Sequence, residues 1–272
     1  MTRATLWLLI LFILPTLTVQ AAPSSKYWGV WDKSNEKSLK AIDHSVWGQF
    51  LERYLRNSPD VEGRLVAYDK VTSEDRKRLT AYIERLTSID PRQYSRAVQM
   101  AYWINLYNAL TVDLILKNYP VKSITKLGPW YSFGPWDESL AKVAGESLSL
   151  NDIEHRILRP LWQDKRIHYA VNCASKGCPD LASEPYTAVN LERMLSEAAQ
   201  RFINQEKGVE FVDGKLVLSR VYEWYGEDFG SKKDLMTHLK AHANDKLKLR
   251  LEKYTGPVDY RYDWSLNVYK GR

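Results

Sequence analysis

Cysteine and histidine are scarce in this 272-residue chain, with two of the first and five of the second, and that scarcity limits the chemistry open to it. A zinc centre needs four side-chain ligands, or three with one open position, and Cys173 and Cys178 have no second cysteine pair to join them. His238 and His242 have the four-residue spacing of a helical zinc pair. The Glu that follows the first His in metalloproteases is absent, so the two read as part of a solvated helix face. No metal and no cofactor are expected. After the first 21 residues no apolar run reaches the length of a bilayer helix, and there is no repeat or low-complexity tract. Blocks of one charge are missing too: 39 Lys and Arg mix with 33 Asp and Glu to give +6, which does not suggest a nucleic-acid partner. Aromatic residues, by contrast, are plentiful. Ten Trp and 17 Tyr need cores, pockets or partner surfaces to hold them.

The amino terminus reads as an address. Arg3 supplies a positive start, Leu6 to Leu14 an apolar run too short for a comfortable membrane span, Pro15 a break, and Val19-Gln20-Ala21 a small-residue cleavage site. The expected product is a mildly basic periplasmic or secreted protein with no integral membrane segment after cleavage. Its expected organisation is a signal peptide over 1–21, a helical extension over 22–68 and one main domain over 69–272.

Hydrophobic spacing predicts helices over Asp43 to Asn57, Ser73 to Ser88 with Ser73 as N-cap, and Ser95 to Asn118. The last is apolar almost all round and should lie buried at the centre of the fold. Gly128-Pro129-Trp130-Tyr131 and Gly134-Pro135-Trp136 form an aromatic loop in which no helix continues. Val143 to Leu150 and Val209 to Leu218 read as hairpins, the second turning at Asp213-Gly214. Asn151, three residues before Glu154, predicts the cap of a short helix ending at Arg159-Pro160. Arg166 to Asn172 reads as a strand, Val189 to Asn204 as a helix and Ser231 to Lys253 as one long charged helix. Helices and hairpins intermingle without regular alternation, so the expected class is α+β, a single domain with a central buried helix, surrounding helices and short antiparallel hairpins.

The candidate site centres on Cys173. With Cys178 it is a disulfide candidate, and Gly177 lets so short a loop turn; alternatively one sulfur is a thiolate nucleophile activated by a nearby His. Period-two alternation in the expected strand sets His168 beside Asn172 and away from Cys173. His155, early in its helix, is expected as a neutral base, its ring meeting a polar partner from the central helix or the 172–178 segment. Asn105 and Asn108 share a helix face and either fix packing or orient the imidazole.

Ala101-Tyr-Trp-Ile-Asn105-Leu-Tyr-Asn108, Leu150-Asn-Asp-Ile-Glu154-His155-Arg-Ile-Leu158-Arg159 and Ile167-His168-Tyr-Ala-Val-Asn172-Cys173-Ala-Ser-Lys-Gly-Cys178-Pro179, with a Tyr262-Asp263-Trp264-Ser265-Leu266-Asn267 ending, resemble the family called domain of unknown function 547. The resemblance runs from about Asp69 to Asn267 and implies little chemistry, since the family is defined without an activity. Two functions stay open. One is a cysteine-dependent hydrolase or acyl transferase acting on a small-molecule or peptide-like substrate, with Cys173 attacking, His155 as base, and Asn105 or Asn108 holding the ring. His168 is the further candidate. The other is a non-enzymatic envelope protein with a structural disulfide, in which Trp130, Tyr131 and Trp136 contact a ligand. A dithiol cycle fits less well, because four residues separate the cysteines where thioredoxin-like motifs have two.

Overall fold

Eighteen side chains of one helix, Arg96–Asn118 (α3), are buried, including both asparagines, so this helix meets protein on every side as its apolar sequence predicts. The computed structural model describes residues 22–58 and 62–271; the expected leader, residues 1–21, lies outside them. Ser95 enters α3 in extended conformation and Tyr119 leaves it extended, as a residue before Pro120 must. Ahead of it come α1 (Ser45–Tyr54) and α2 (Ser73–Thr87), with α1 against α2 and α2 against α3. The cap of α2 falls on Thr72 and not on Ser73: the extended Thr72 accepts the Asp75 N–H at 3.1 Å. Helix α1 is shorter than its apolar pattern, because Leu55–Asn57 (β1) pairs with Arg64–Val66 (β2). Trp31, Trp47 and Phe50 share one hydrophobic cluster with α3, so the amino-terminal segment completes this core.

The predicted hairpin is Ala141–Val143 (β3) with Glu146–Leu148 (β4), turning at Ala144 and Gly145, whose φ of 47° and 92° are the left-handed pair a two-residue turn demands. Next comes a π-helical segment, Asp152–Leu158, running into α4 (Arg159–Trp162). Its cap is not Asn151, which is already helical. Ser149 and Asp152 cap each other instead, the Asp152 N–H donating to Ser149 Oγ at 3.0 Å and the Ser149 N–H to Asp152 Oδ2 at 2.9 Å. Pro160 does not end the element: the helix runs through it to Trp162, and His155 O, five residues earlier, accepts the Lys26 N–H at 2.9 Å.

The expected strand over Arg166 to Asn172 is wrong. Ile167–Ala170 is a helical turn (α5) started by Asp164, whose side chain accepts the Arg166 N–H at 2.9 Å. All four residues are buried, so the apparent alternation had no solvent face behind it. After α6 (Leu191–Ile203), the hairpin of β5 (Val209–Val212) and β6 (Lys215–Ser219) turns at Asp213-Gly214 as read. Two short turns follow, α7 (Val221–Trp224) and α8 (Gly226–Phe229). The long helix expected from Ser231 is two, α9 (Lys232–His242) and α10 (Asp245–Lys253). Between them Ala243 turns extended and Asn244 caps α10, while the Asn204 amide holds both His242 O and Asn244 N. Val258–Arg261 (β7) then adds to β6 in parallel, a pairing absent from the sequence reading. The second core cluster lies under this sheet, around Phe202, Tyr222 and Phe229. The class is α+β, and among the described residues no helix is long and apolar enough to cross a membrane.

Candidate functional site

Asn105 and Asn108 are spent on backbone. Asn105 donates to Tyr186 O at 2.7 Å and accepts the Tyr186 N–H at 3.1 Å. Asn108 does the same to the chain after α5, donating to Ala170 O and accepting the Asn172 N–H, both at 2.8 Å. Each amide imitates a strand partner for a buried irregular segment, which is the packing alternative of the sequence reading. Neither carries an imidazole.

Cys173 and Cys178 are disulfide-bonded. The loop they close is held from below by Asn172, which donates to Pro179 O at 2.7 Å and accepts the Ala174 N–H at 2.8 Å. Ala174, at φ 58°, takes a left-handed conformation that a residue with a Cβ rarely adopts. From above, the carboxy-terminal tail is laid along the loop. Lys176 N–H donates to Ser265 O, Gly177 N–H to Asp263 O and Asn267 N–H to Ala174 O, at 2.9 to 3.0 Å. The Tyr262 hydroxyl completes the contact, 2.8 Å from Ser175 Oγ and 3.0 Å from Cys173 Sγ.

A buried ionic cluster stands on the π-helical segment. Glu154, His155, Arg159 and His168 are each at most 5% exposed. His168 Nε2 meets Asp228 Oδ2 at 2.7 Å; Arg159 holds the same carboxylate through Nε at 2.6 Å and Nη2 at 3.0 Å. Arg159 Nη1 also donates to His155 Nδ1 at 2.9 Å and to Pro23 O at 2.7 Å. The ring of His155 thus finds this partner on its own helix, not on α3 or the cysteine loop as expected. Burial lowers the His155 pKa against the pull of Glu154, and Arg159 lowers it further. Burial would raise Asp228, but His168 and Arg159 hold it well below the usual carboxylate range.

Two atoms in this cluster have no hydrogen-bond partner: Glu154 Oε1 and His168 Nδ1, 3.8 Å apart. Burial opposes ionisation of Glu154, yet His155, His168 and the Tyr225 hydroxyl outweigh it and lower its pKa to about 2. The Tyr225 ring lies on His168, centroids 3.9 Å apart. Tyr107 of α3 stands beside Glu154, and burial followed by that carboxylate pushes its hydroxyl well above the usual tyrosine range. Outside the Arg159–Asp228 pair a cavity of about 720 Å³ opens, lined also by Lys165 and Glu227 and, from the amino-terminal segment, by Ser25 and Tyr27.

An aromatic surface adjoins the cluster. Phe133, Trp136, Trp264, Trp224 and Tyr262 form an unbroken series of rings with centroids 4.5 to 6.0 Å apart, each at least partly exposed. Trp136 O accepts the Asn151 N–H at the head of the π-helical segment, and Trp224 precedes the Tyr225 that covers His168. On the same loop Trp130 is 96% and Tyr131 76% exposed.

The structure therefore gathers His155 and His168 into one cluster and gives Asn105, Asn108 and Cys173 other partners. Glu154, Arg159, Tyr225 and Asp228 were not singled out from sequence. Adjacent Glu154-His155 in an apolar helix was the available signal, since two ionisable groups there must be paired. Residues 91–203 match the family model described as protein of unknown function, DUF547. No curated protein and no solved structure matches the chain.

Proposed function

We propose that this chain, whose residues 91–203 match the DUF547 family model, is a hydrolytic enzyme whose proton-transfer groups are His168, Asp228 and Glu154. One observation carries this reading: Glu154 Oε1 and His168 Nδ1 are both buried, both unpartnered and 3.8 Å apart. Buried polar atoms without partners cost about 1–3 kcal/mol each, more when charged, and they concentrate where function needs them. The π-helical backbone beneath Glu154 and His155 is of the same kind, rare overall and common at functional sites.

The chemistry follows from the donors and acceptors. In the tautomer that donates Nε2–H to Asp228, His168 turns its Nδ1 lone pair towards Glu154 Oε1. Two acceptors facing each other suit a molecule with two O–H bonds. A water placed there gives one proton to Nδ1 as its oxygen attacks an acyl or acetal carbon, while Glu154 orients the other O–H. The imidazolium formed is stabilised by Asp228, and its proton then passes to the leaving group. Arg159 keeps Asp228 ionised throughout.

The cysteine-dependent alternative requires the Cys173–Cys178 bridge to open and a base to reach Cys173. We also propose export from the cytoplasm, which the leader-like sequence and a disulfide of the kind kept in oxidising compartments support. The test is turnover of p-nitrophenyl esters, peptide p-nitroanilides and p-nitrophenyl glycosides by the chain without residues 1–21. His168→Asn should lower kcat by roughly 10²–10⁴, whereas the Cys173→Ser/Cys178→Ser pair should leave it intact. Undiminished turnover in His168→Asn, or none of these substrates cleaved by the parent chain, overturns the proposal.

A further inference from the structure

We infer that the aromatic surface of Phe133, Trp136, Trp224, Tyr262 and Trp264, with the exposed Trp130–Tyr131 pair, is a glycan-binding site. That the bound glycan is also the substrate rests on the hydrolytic reading; the binding itself does not.

Core packing holds part of this surface, since Trp136 and Trp264 rest on the first core cluster and Tyr262 on the second, but it does not account for Trp130 and Tyr131. Trp130 and Tyr131 touch each other edge to face at 5.7 Å on a tight turn closed by Ser132 N–H to Pro129 O, and both project almost fully into solvent. Phe133, next along the loop, is 48% exposed and leads into the ring series, which reaches Tyr262 above the cysteine loop and Trp224 beside Tyr225. Large exposed aromatics grouped in this way mark recognition surfaces, because rigid rings bury much area at small entropic cost.

The edges of the surface define the ligand. Asp137 and Asp263 are exposed carboxylates on the same two segments, each using one oxygen on a neighbour, Asn151 and Ser265 respectively. Flat apolar rings edged by carboxylates match a pyranose, which has a C–H face that stacks and equatorial hydroxyls that donate. Lys176, Lys207 and Arg261 line the cavity beside Tyr262 and Asp263, so the edge offers donors as well as acceptors to sugar hydroxyls. Continuity with the Glu154–His168 cluster gives the arrangement its direction. The ring series ends at Tyr262 and at Trp224, the residue before the Tyr225 whose ring lies on His168.

The experiment titrates the chain without residues 1–21 with chitotetraose, cellotetraose and xylotetraose, reading tryptophan fluorescence and calorimetry, and with vesicles containing anionic phospholipid as a separate arm. At least one tetrasaccharide should bind saturably and quench or shift the emission. Trp130→Ala/Tyr131→Ala should weaken that binding at least tenfold with the urea midpoint unchanged, and Trp264→Ala should do the same where it remains folded. Sugar binding without any hydrolysis leaves this inference standing and removes the hydrolytic reading. No binding to any of the three, binding indifferent to the Trp130/Tyr131 double change, or association with vesicles alone overturns the inference.

Discussion

Replacing Asn108 by Ala separates packing from catalysis most cleanly. The side chain is 2% exposed and satisfies two buried backbone groups, Ala170 O and the Asn172 N–H, which lie on either side of the bend between α5 and the cysteine loop. Alanine leaves both without a partner where water cannot easily enter. At about 1–3 kcal/mol for each unsatisfied buried group, the loss is roughly 2–6 kcal/mol, a large part of the ~5–15 kcal/mol that holds a typical domain folded. For a chain of this length that corresponds to a fall in Tm of very roughly 2–4 °C per kcal/mol. Urea denaturation followed by tryptophan fluorescence measures it directly, with an unchanged slope showing that the unfolded state is unaltered. The reasoning fails if Asn108→Ala unfolds within about 1 kcal/mol of the parent. Were turnover lost at the same time, Asn108 would return to the orienting role that the sequence also allowed.

Other outcomes follow from the same geometry. Opening the Cys173–Cys178 bridge in the double Ser variant should cost about 2 kcal/mol on chain-entropy grounds, since the loop is short; urea midpoints that do not change would show the bridge to be energetically idle. Gly177→Ala should lift the tail from the cysteine loop, because its Cβ would come within 2.8 Å of Asp263 N and 3.0 Å of the Tyr262 ring. Faster amide exchange at position 177 and at Asn267 checks it, and parent-like protection at both would count against the contact. His44 is buried against the Tyr82 hydroxyl at 2.6 Å, and burial, with Arg85 nearby, lowers its pKa to about 4. The unfolded chain therefore takes up the His44 proton first. Its contribution to stability is complete above about pH 6.5 and is lost as pH falls from there towards 4, by up to about 3 kcal/mol. His44→Gln should flatten that part of the pH–stability curve, and a variant as acid-sensitive as the parent would refute the assignment.

What sequence made legible was whatever local chemistry determines. Helix α3 announced itself by apolar residues on every face, and the turns at Gly145 and Gly214 by residues that tolerate left-handed backbone. Misreadings arose where a distant group decides. Ile167–Ala170 alternates like a strand, but burial on all sides and the Asp164 cap make it helical. Asn244 splits the long helix because Asn204, forty residues earlier, holds the break. The cluster was half visible for the same reason. Glu154, His155 and His168 lie in segments the sequence marked, whereas Asp228, which meets His168 Nε2, comes from a short turn sixty residues further on with no pattern of its own.

The tail laid over the cysteine loop has a consequence for how the molecule comes into being. Tyr68 bonds to Asn267 across 199 residues, and Ser175 to Tyr262 across 87. Contacts so far apart form late, because a long loop must close before they return anything. During synthesis, the cysteine loop and the aromatic rings already made wait uncovered until residues 262–267 arrive. Refolding should accordingly show the two clusters gaining structure before the tail docks, with slow amide protection at Gly177 and Asn267 marking the final step. Until that step the unfinished loop and rings are the surface a chaperone would meet.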